Sequence, residues 1–310
     1  MPLVSLLLAE RRHLDGAIAS IAVKRAFARA DHVLCDPGEG AQLQRHFDIA
    51  AASLPVAALT RAIDAPATNL ATALWLRADP AWIQPDMVGA RLMAYGPGVQ
   101  ADAADADALA PALVEMFASA GLVFDAPVPS RWYVRMPLGA VIPQCAPPES
   151  VLGEDILPHL PAGDGGARWR QLFTQAQMIL HHHPWNQRRR AEGKEAINAL
   201  WFWGESQGIP SVQTRYLQVR SRDALLLGLA RASGIDQREK RNTTVDALID
   251  LRHLRSLPQI AQEAILPLLD ALANHQLRQL IVDFQDGHLF TLQLRQRWRF
   301  WRRDSNGFGR

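Results

Sequence analysis

The sequence predicts an α/β protein: a mixed sheet flanked by helices, with a β-hairpin near the C-terminus. Three observations carry this. Short runs such as Leu3 to Leu8 and Leu200 to Trp203 are apolar at nearly every position, as strands covered on both faces are. Other segments place apolar residues at helical spacing, the clearest being Trp169, Leu172, Phe173, Ala176, Ile179 and Leu180. Leu280, Val282 and Phe284 alternate up to Asp286-Gly287, and Phe290, Leu292 and Leu294 alternate after it, which is a hairpin pattern.

The chain has 310 residues. At roughly 150 residues per domain this suggests two lobes. Prolines and glycines crowd residues 143–166, so the expected division is an N-terminal lobe over 1–142, that connection, and a C-terminal lobe over 167–310. Basic and acidic residues nearly balance, 33 against 31, which argues against a general nucleic-acid coat. Cys35 and Cys145 are the only cysteines and make no disulfide framework, so a reducing cytoplasm is expected. The opening MPLVSLLLAERR lacks a positive region ahead of its apolar run and reads as a buried first strand rather than a signal peptide. No run approaches the ~18 apolar residues of a membrane span, so no membrane partner is expected.

Along the chain, Leu3 to Leu8 is the first strand, Ala17 to Ala30 a basic helix, and Val33-Leu34 a short strand before the Asp36-Pro-Gly turn. Leu43 to Phe47 reads as a helix. Asp79-Pro80 reads as a turn after a strand. Asp102, Asp105 and Asp107 precede an Ala-rich helix to about Ala120, where acids suit the helix dipole at an exposed cap. Leu122 to Phe124 and Arg131 to Met136 are strands. Ser211 to Val219 alternates, and Ser221-Arg-Asp opens a helix ended by Gly234. Val245 to Leu251 is a short strand, and Pro258 starts a helix that Pro267 should kink. The tail from Arg295 to Arg303 mixes arginine with aromatics. It suits stacking and phosphate pairing, but the expectation is a closing helix with its indoles docked on the core.

Trp169 to Gly204 organises the rest. Pro184 ends its helix, because the residue before a proline leaves the α region. His181, His182 and His183 invite a metal, yet no Cys, Asp or Glu stands at ligand spacing nearby. Histidines at a helix C-terminus are the simpler account. Arg188, Arg189, Arg190 and Lys194 give a cationic segment, either a solvated surface or an anion site, since guanidinium forks suit phosphate and carboxylate oxygens. A strand from Leu200 to Trp203 follows, entered by Asn198 and left by Gly204.

The pattern Gln177-Met178-x-Leu180-His181-x-His183-Pro184-x-Asn186, with Asn198-x-Leu200-Trp201-x-Trp203-Gly204, resembles the signature of the RpfE-type regulatory proteins, named for regulation of pathogenicity factors. Trp75 to Trp82 and the Arg131-Trp-Tyr triplet are also similar to that family. The family is in turn distantly similar to archaeal-type cofactor-independent phosphoglycerate mutases. The resemblance implies an alkaline-phosphatase/phosphoglycerate-mutase-like scaffold in the C-terminal part. It also implies a non-catalytic regulator that affects pathogenicity-factor production (extracellular enzymes, exopolysaccharide). Such a regulator would bind a small anionic, phosphorylated ligand or a protein partner, with nucleic acid disfavoured and no cofactor. Asn186, Arg189, Asn198, His183 and Gly204 are the expected ligand-binding residues. Glu205-Ser206 departs from the family pattern and would oppose an anion.

A phosphoryl-transfer enzyme is the alternative. Phosphoglycerate mutases of the related class need two divalent metals and a serine nucleophile. Here Asp15-Gly16 stands well past the first strand, Asp31-His32 comes early, and Asp250, His253, Asp283, Asp286 and His288 form no recognisable late cluster, so no metal site is expected. Nucleophile-elbow, Walker and dinucleotide-loop motifs are absent. Nucleic-acid binding through the Arg/Trp tail is a second alternative.

Overall fold

The computed structural model describes residues 1–51, 53–66, 70, 72–87, 89–235 and 245–302. It falls into two compact units, Met1–Ala50 with Ser211–Arg310, and Ala51–Pro210. The first begins with β1 (Leu3–Leu8), α1 (Ile21–Arg29), β2 (Asp31–Leu34), α2 (Glu39–Gln44) and β3 (Asp48–Ile49). The second holds α3 (Val56–Asp64), β4 (Leu74–Pro85), β5 (Ala90–Tyr95), α4 (Ala103–Ser119), β6 (Val123–Val128), β7 (Arg131–Met136), α5 (Gly166–His182), α6 (Trp185–Ala191) and β8 (Ala199–Gln207). The chain then returns to the first unit through β9 (Val212–Gln213), β10 (Gln218–Arg220), α7 (Ala224–Ala232) and β11 (Ala247–Asp250). It continues with α8 (Leu257–Gln259), α9 (Leu266–Ala273), β12 (Gln279–Phe284) and β13 (His288–Leu292).

The first unit is a mixed sheet in the order β10-β11-β1-β12-β13-β2. β10, β11, β1 and β12 run parallel, β13 runs antiparallel to β12, and β2, antiparallel to β13, runs in the direction of the first four. Every β1 residue is buried, as its unbroken apolar run requires. Val4 is paired with Ala247 on one side and Leu280 on the other. This pairing corrects the expected division. The N-terminal strand belongs with the C-terminal ones, and residues 143–166 lie inside the second unit rather than between lobes. The hairpin forms where expected. Its Gly287 has φ +90°, and a Cβ there would lie 2.2 Å from the Cys35 carbonyl oxygen, so only glycine fits. Pro267 does not simply kink a helix. A π-helical turn over Ile260–Ile265 precedes it, and Pro267 stands in the first turn of α9, where a missing N–H costs little.

In the second unit β4 is central to an antiparallel sheet. β8 lies along one edge, β7 against Leu74–Arg77 and β5 against Ala81–Pro85 on the other, with β6 outside β7. Asp79-Pro80 is therefore mid-strand, not a turn. Leu74, Leu76 and Ala78 face a core shared with Leu109, Leu113 and Phe117 of α4 and with Leu172, Phe173 and Ala176 of α5. The run from Leu200 to Trp203 is the expected strand, but β8 pairs only with β4 among the described residues. Its both-sided apolarity comes from helices, with α5 placing Trp169 against Phe202 at 5.0 Å and α3 packed against the same strand.

Helix α4 starts at a capping box. The Asp102 carboxylate accepts from the Asp105 N–H, and the Asp105 carboxylate accepts from the Asp102 N–H. Asp105 is buried, contrary to the exposed cap the sequence suggests. Asp102→Ala should cost about 1 kcal/mol, measured as a lower urea midpoint with an unchanged slope.

Candidate functional site

Asn186, Arg189, Asn198, His183 and Gly204 all lie in the second unit, where their polar groups have partners inside the protein. Asn186 donates to the Leu180 and Ile197 carbonyls at 2.7 and 2.9 Å and accepts from the Ile197 N–H at 3.0 Å. It thus clamps the end of α5 to the approach of β8. Buried Arg189 pairs with Asp105 and donates to the Val99 and Glu195 carbonyls. Asn198 exchanges both side-chain hydrogen bonds with the Ile83 backbone at 2.8 Å, imitating one more sheet residue. The His183 Nδ1 accepts from the Trp185 N–H at the start of α6. Gly204 has φ +65°, and a Cβ there would meet that of Val56 at 2.9 Å, so it lets α3 close on β8.

His181 and His182 are exposed, with rings near perpendicular, and His182 Nδ1 donates to the Met178 carbonyl at 2.9 Å. Ser206 is buried and accepts from the Ala58 N–H at 2.7 Å. Burial raises the Glu205 carboxyl. Burial, with Glu205 adding to it, pushes the Cys145 thiol up to about 12, which leaves it a poor nucleophile.

A second constellation gathers in the first unit, at the carboxyl ends of its parallel strands, where open α/β sheets bind ligands. Gln42 donates to the Leu8 carbonyl at 3.1 Å and to that of Asp283 at 2.8 Å, tying the ends of β1 and β12. Arg45 grips the buried Asp283 carboxylate with two hydrogen bonds at 2.9 and 2.7 Å, and its third arm reaches the Asp36 carbonyl at 2.8 Å. His46 Nε2 stands 2.8 Å from the same carboxylate, its Nδ1 is 2.7 Å from the Tyr216 hydroxyl, and that hydroxyl is 2.8 Å from Ser5 Oγ. Burial holds His46 below its ordinary value of 6.5, against the opposing pull of Asp283.

Beyond β11, Arg252 takes Asp250 in a fork at 2.9 and 3.1 Å and also meets Glu39 and Asp223. Burial pushes Asp250 up, but Arg252 and the Ser221 hydroxyl outweigh it and hold the carboxyl below its usual range. Arg11 does the same for Asp286 in the hairpin turn.

Two open cavities of about 640 Å³ each border this constellation and share Gln44 and Arg45. One is also lined by Cys35 and Asp36, and the other by His46, Asp48, Gln213, Thr214 and Arg215. Arg215 is exposed and stacks over the Tyr216 ring at 5.5 Å. The second cavity thus has two guanidinium groups and two amides, with Asp48 opposing. Sequence reasoning passed over it. The only signal was that Gln44-Arg45-His46 and Gln213-Thr214-Arg215 are polar, cationic triplets beside apolar runs.

The metal pair that the phosphoryl-transfer alternative requires needs several oxygen and imidazole donors facing one point. Asp250, Asp283 and Asp286 instead each face an arginine. Among the described residues there is no group of three or more His, Cys, Asp or Glu that could hold a metal ion. The residues described do not fit the pair.

No family model matches the chain. A probable 2,3-bisphosphoglycerate-independent phosphoglycerate mutase of Geobacter sulfurreducens is 41% identical over 61 residues, 20% of this chain and 15% of that protein. The 2,3-bisphosphoglycerate-independent phosphoglycerate mutase of Methanosarcina mazei is 31% identical over 108 residues, 33% of this chain and 27% of that protein. The chain is distantly similar to cofactor-independent phosphoglycerate mutases. The matched stretches span about a quarter or less of these relatives. Among solved structures, the cofactor-independent phosphoglycerate mutase from Thermoplasma acidophilum gives a TM-score of 0.42 at 13% identity, over 94% of this chain and 89% of that one. A Pyrococcus horikoshii protein gives 0.45 at 14%, over 94% and 87%. No helix among the described residues is long and apolar enough to cross a membrane.

Two outcomes follow from the geometry. Arg189→Ala leaves the buried Asp105 carboxylate without its cationic partner, with only the Asp102 N–H and the Trp185 indole donating to it, and should cost about 3–5 kcal/mol. Arg188→Ala, on the exposed side of α6, should stay within about 0.5 kcal/mol. Urea denaturation of both variants separates a structural Arg189 from a dispensable one. For His46 the folded state resists protonation while the unfolded chain accepts it below 6.5. The group's contribution is therefore present above pH 6.5 and lost as pH falls below it, at no more than about 1.4 kcal/mol per pH unit. Denaturation at pH 7.5, 6.5 and 5.5 should show this slope, and His46→Gln should flatten it.

Proposed function

We propose that the protein binds a small phosphorylated metabolite in the cavity edged by Arg45, His46, Gln213 and Arg215, and acts through occupancy of that site. The observation that carries this is the pairing at the strand ends. Asp250, Asp283 and Asp286 are each matched by a guanidinium, while Arg215 stands exposed over an open cavity in which Asp48 is the lining carboxylate. Guanidinium and amide donors suit phosphate oxygens. The distant phosphoglycerate-mutase similarity supports a phosphorylated three-carbon acid as the ligand class and a phosphatase-mutase scaffold as the ancestry of the fold. A regulatory role of the RpfE type, with an effect on pathogenicity-factor production, is the finer part of this proposal and rests on the sequence signature. The cytoplasm suits a metabolite-binding protein with two free cysteines.

A divergent phosphoryl-transfer enzyme is the second reading. The curated relatives, all named as phosphoglycerate mutases, support it more directly than they support regulation. The donor set around Asp250 and Asp283 speaks for binding.

Calorimetric titration with 3-phosphoglycerate, 2-phosphoglycerate and inorganic phosphate tests the proposal. Binding should appear for the wild type and weaken about tenfold or more in Arg215→Ala, as loss of a charged hydrogen bond implies. An Arg215→Ala variant that binds as tightly as wild type refutes the site. Interconversion of the two phosphoglycerates after manganese addition, followed by phosphorus NMR, would establish the enzymatic reading instead.

A further inference from the structure

The segment after β13 does not close onto the core as the sequence suggests. A 3-10 turn over Leu294–Trp298 is followed by an open stretch in which Trp298, Phe300 and Trp301 are 65%, 78% and 66% exposed. Arg303 and the residues beyond it lie outside the described residues. What holds the segment is arginine on backbone. Arg29 donates to the Arg297 carbonyl at 3.0 Å, Arg299 to the Arg29 carbonyl at 3.0 Å, and Arg302 to the Ala30 carbonyl at 2.7 Å. A carbonyl fixes a guanidinium in place without cancelling its charge. Asp31 is the one carboxylate in this set of contacts, and Arg299 already takes it, holding its carboxyl low with help from Gln296 and Arg295. Arg295 and Arg297 stand exposed beside them, and Arg297 lies 4.9 Å from the Trp298 ring centroid.

We propose that this surface, formed by Arg29, Arg295, Arg297, Arg299 and Arg302 with Trp298, Phe300 and Trp301, binds single-stranded nucleic acid. From Arg297 to Arg302 the order is Arg-Trp-Arg-Phe-Trp-Arg, so each group of rings is flanked by guanidinium groups as bases are flanked by phosphates along one strand. Flat exposed rings stack on bases of any sequence, and forked cations take the phosphates between them. Anionic membranes fit less well. Phe300 and Trp301 pack edge to face at 5.5 Å, but Arg297 lies over the Trp298 ring at 4.9 Å, so the three rings do not make one apolar face free of charge. The near-neutral charge of the whole chain excludes a general coat but not a local site. The proposal is independent of the metabolite cavity.

The test uses the full chain with fluorescein-labelled 15-nucleotide oligo-dT and oligo-U, read by anisotropy at 50, 100 and 200 mM salt. Wild-type binding should weaken with salt, with a log–log slope of about −0.7 for each phosphate neutralised. Trp298→Ala/Trp301→Ala should bind about tenfold or more weakly with the slope kept, because stacking is lost and charge is not. Arg295→Glu/Arg297→Glu should bind more weakly with a shallower slope. All four side chains are exposed, and an unchanged melting temperature verifies folding. The proposal fails if wild type shows no binding at 50 mM salt, or if the tryptophan variant binds as tightly as wild type. It fails too if a blunt duplex binds as well as the single strand. Binding to phosphatidylserine vesicles that shows the same variant pattern, without oligonucleotide binding, would assign the surface to membranes and overturn it.

Discussion

The seating of β1 between β11 and β12 governs this structure. A parallel strand needs a crossover, and here the crossover from β1 to the strands beside it contains a whole second unit. Because β1 is buried along its full length, it cannot sit at an edge, so the C-terminal strands must close around it. The same arrangement brings side chains from distant parts of the sequence to one end of the sheet. Arg45 and His46 reach Asp283 there, and Glu39 reaches Arg252.

Those strand-end pairs decide what chemistry the first unit can host. A carboxylate held in a two-armed guanidinium fork is a well-satisfied structural group, and drawing it onto a cation would leave an arginine uncompensated. The second unit uses ionic contacts in another way. Arg77 forks onto Asp79, Trp203 donates to the same carboxylate, and Arg61 and Arg77 both lie over the Tyr133 ring, all within the packed layer beneath α3. There the charges are scaffolding, and Asn186, Arg189 and Asn198 belong to the same category by their hydrogen bonds.

Much of the fold was legible because its signals are local. The unbroken apolar run of β1, the stripe of α5, the stop at Pro184 and the Asp286-Gly287 turn each follow from a few neighbouring residues. The division into units was not legible, because strand pairing between Val4 and Ala247 leaves no trace in composition. The proline-rich stretch at 143–166 misled for the same reason, since a loop within a unit has the composition of a linker. At Asp79-Pro80 a strong turn signal lost to tertiary context. Asp79 is buried with Arg77 and Trp203, and the strand runs straight through. Asn186, Arg189 and Asn198 read as ligand-binding in the sequence, and each has hydrogen-bond partners inside the protein. A buried amide that clamps two backbones carries the same sequence mark as one that holds a guest.

The discontinuity of the first unit also sets an order of assembly. During synthesis Ala51–Pro210 is complete while β10, β11, β12 and β13 are still to be made. Domains tend to fold as units when they emerge. For that interval β1 is an oily ribbon without neighbours, waiting on partners more than two hundred positions away. Ribosome-bound lifetimes and chaperone demand should therefore follow how soon the last strands appear, while the inserted unit matures on its own clock.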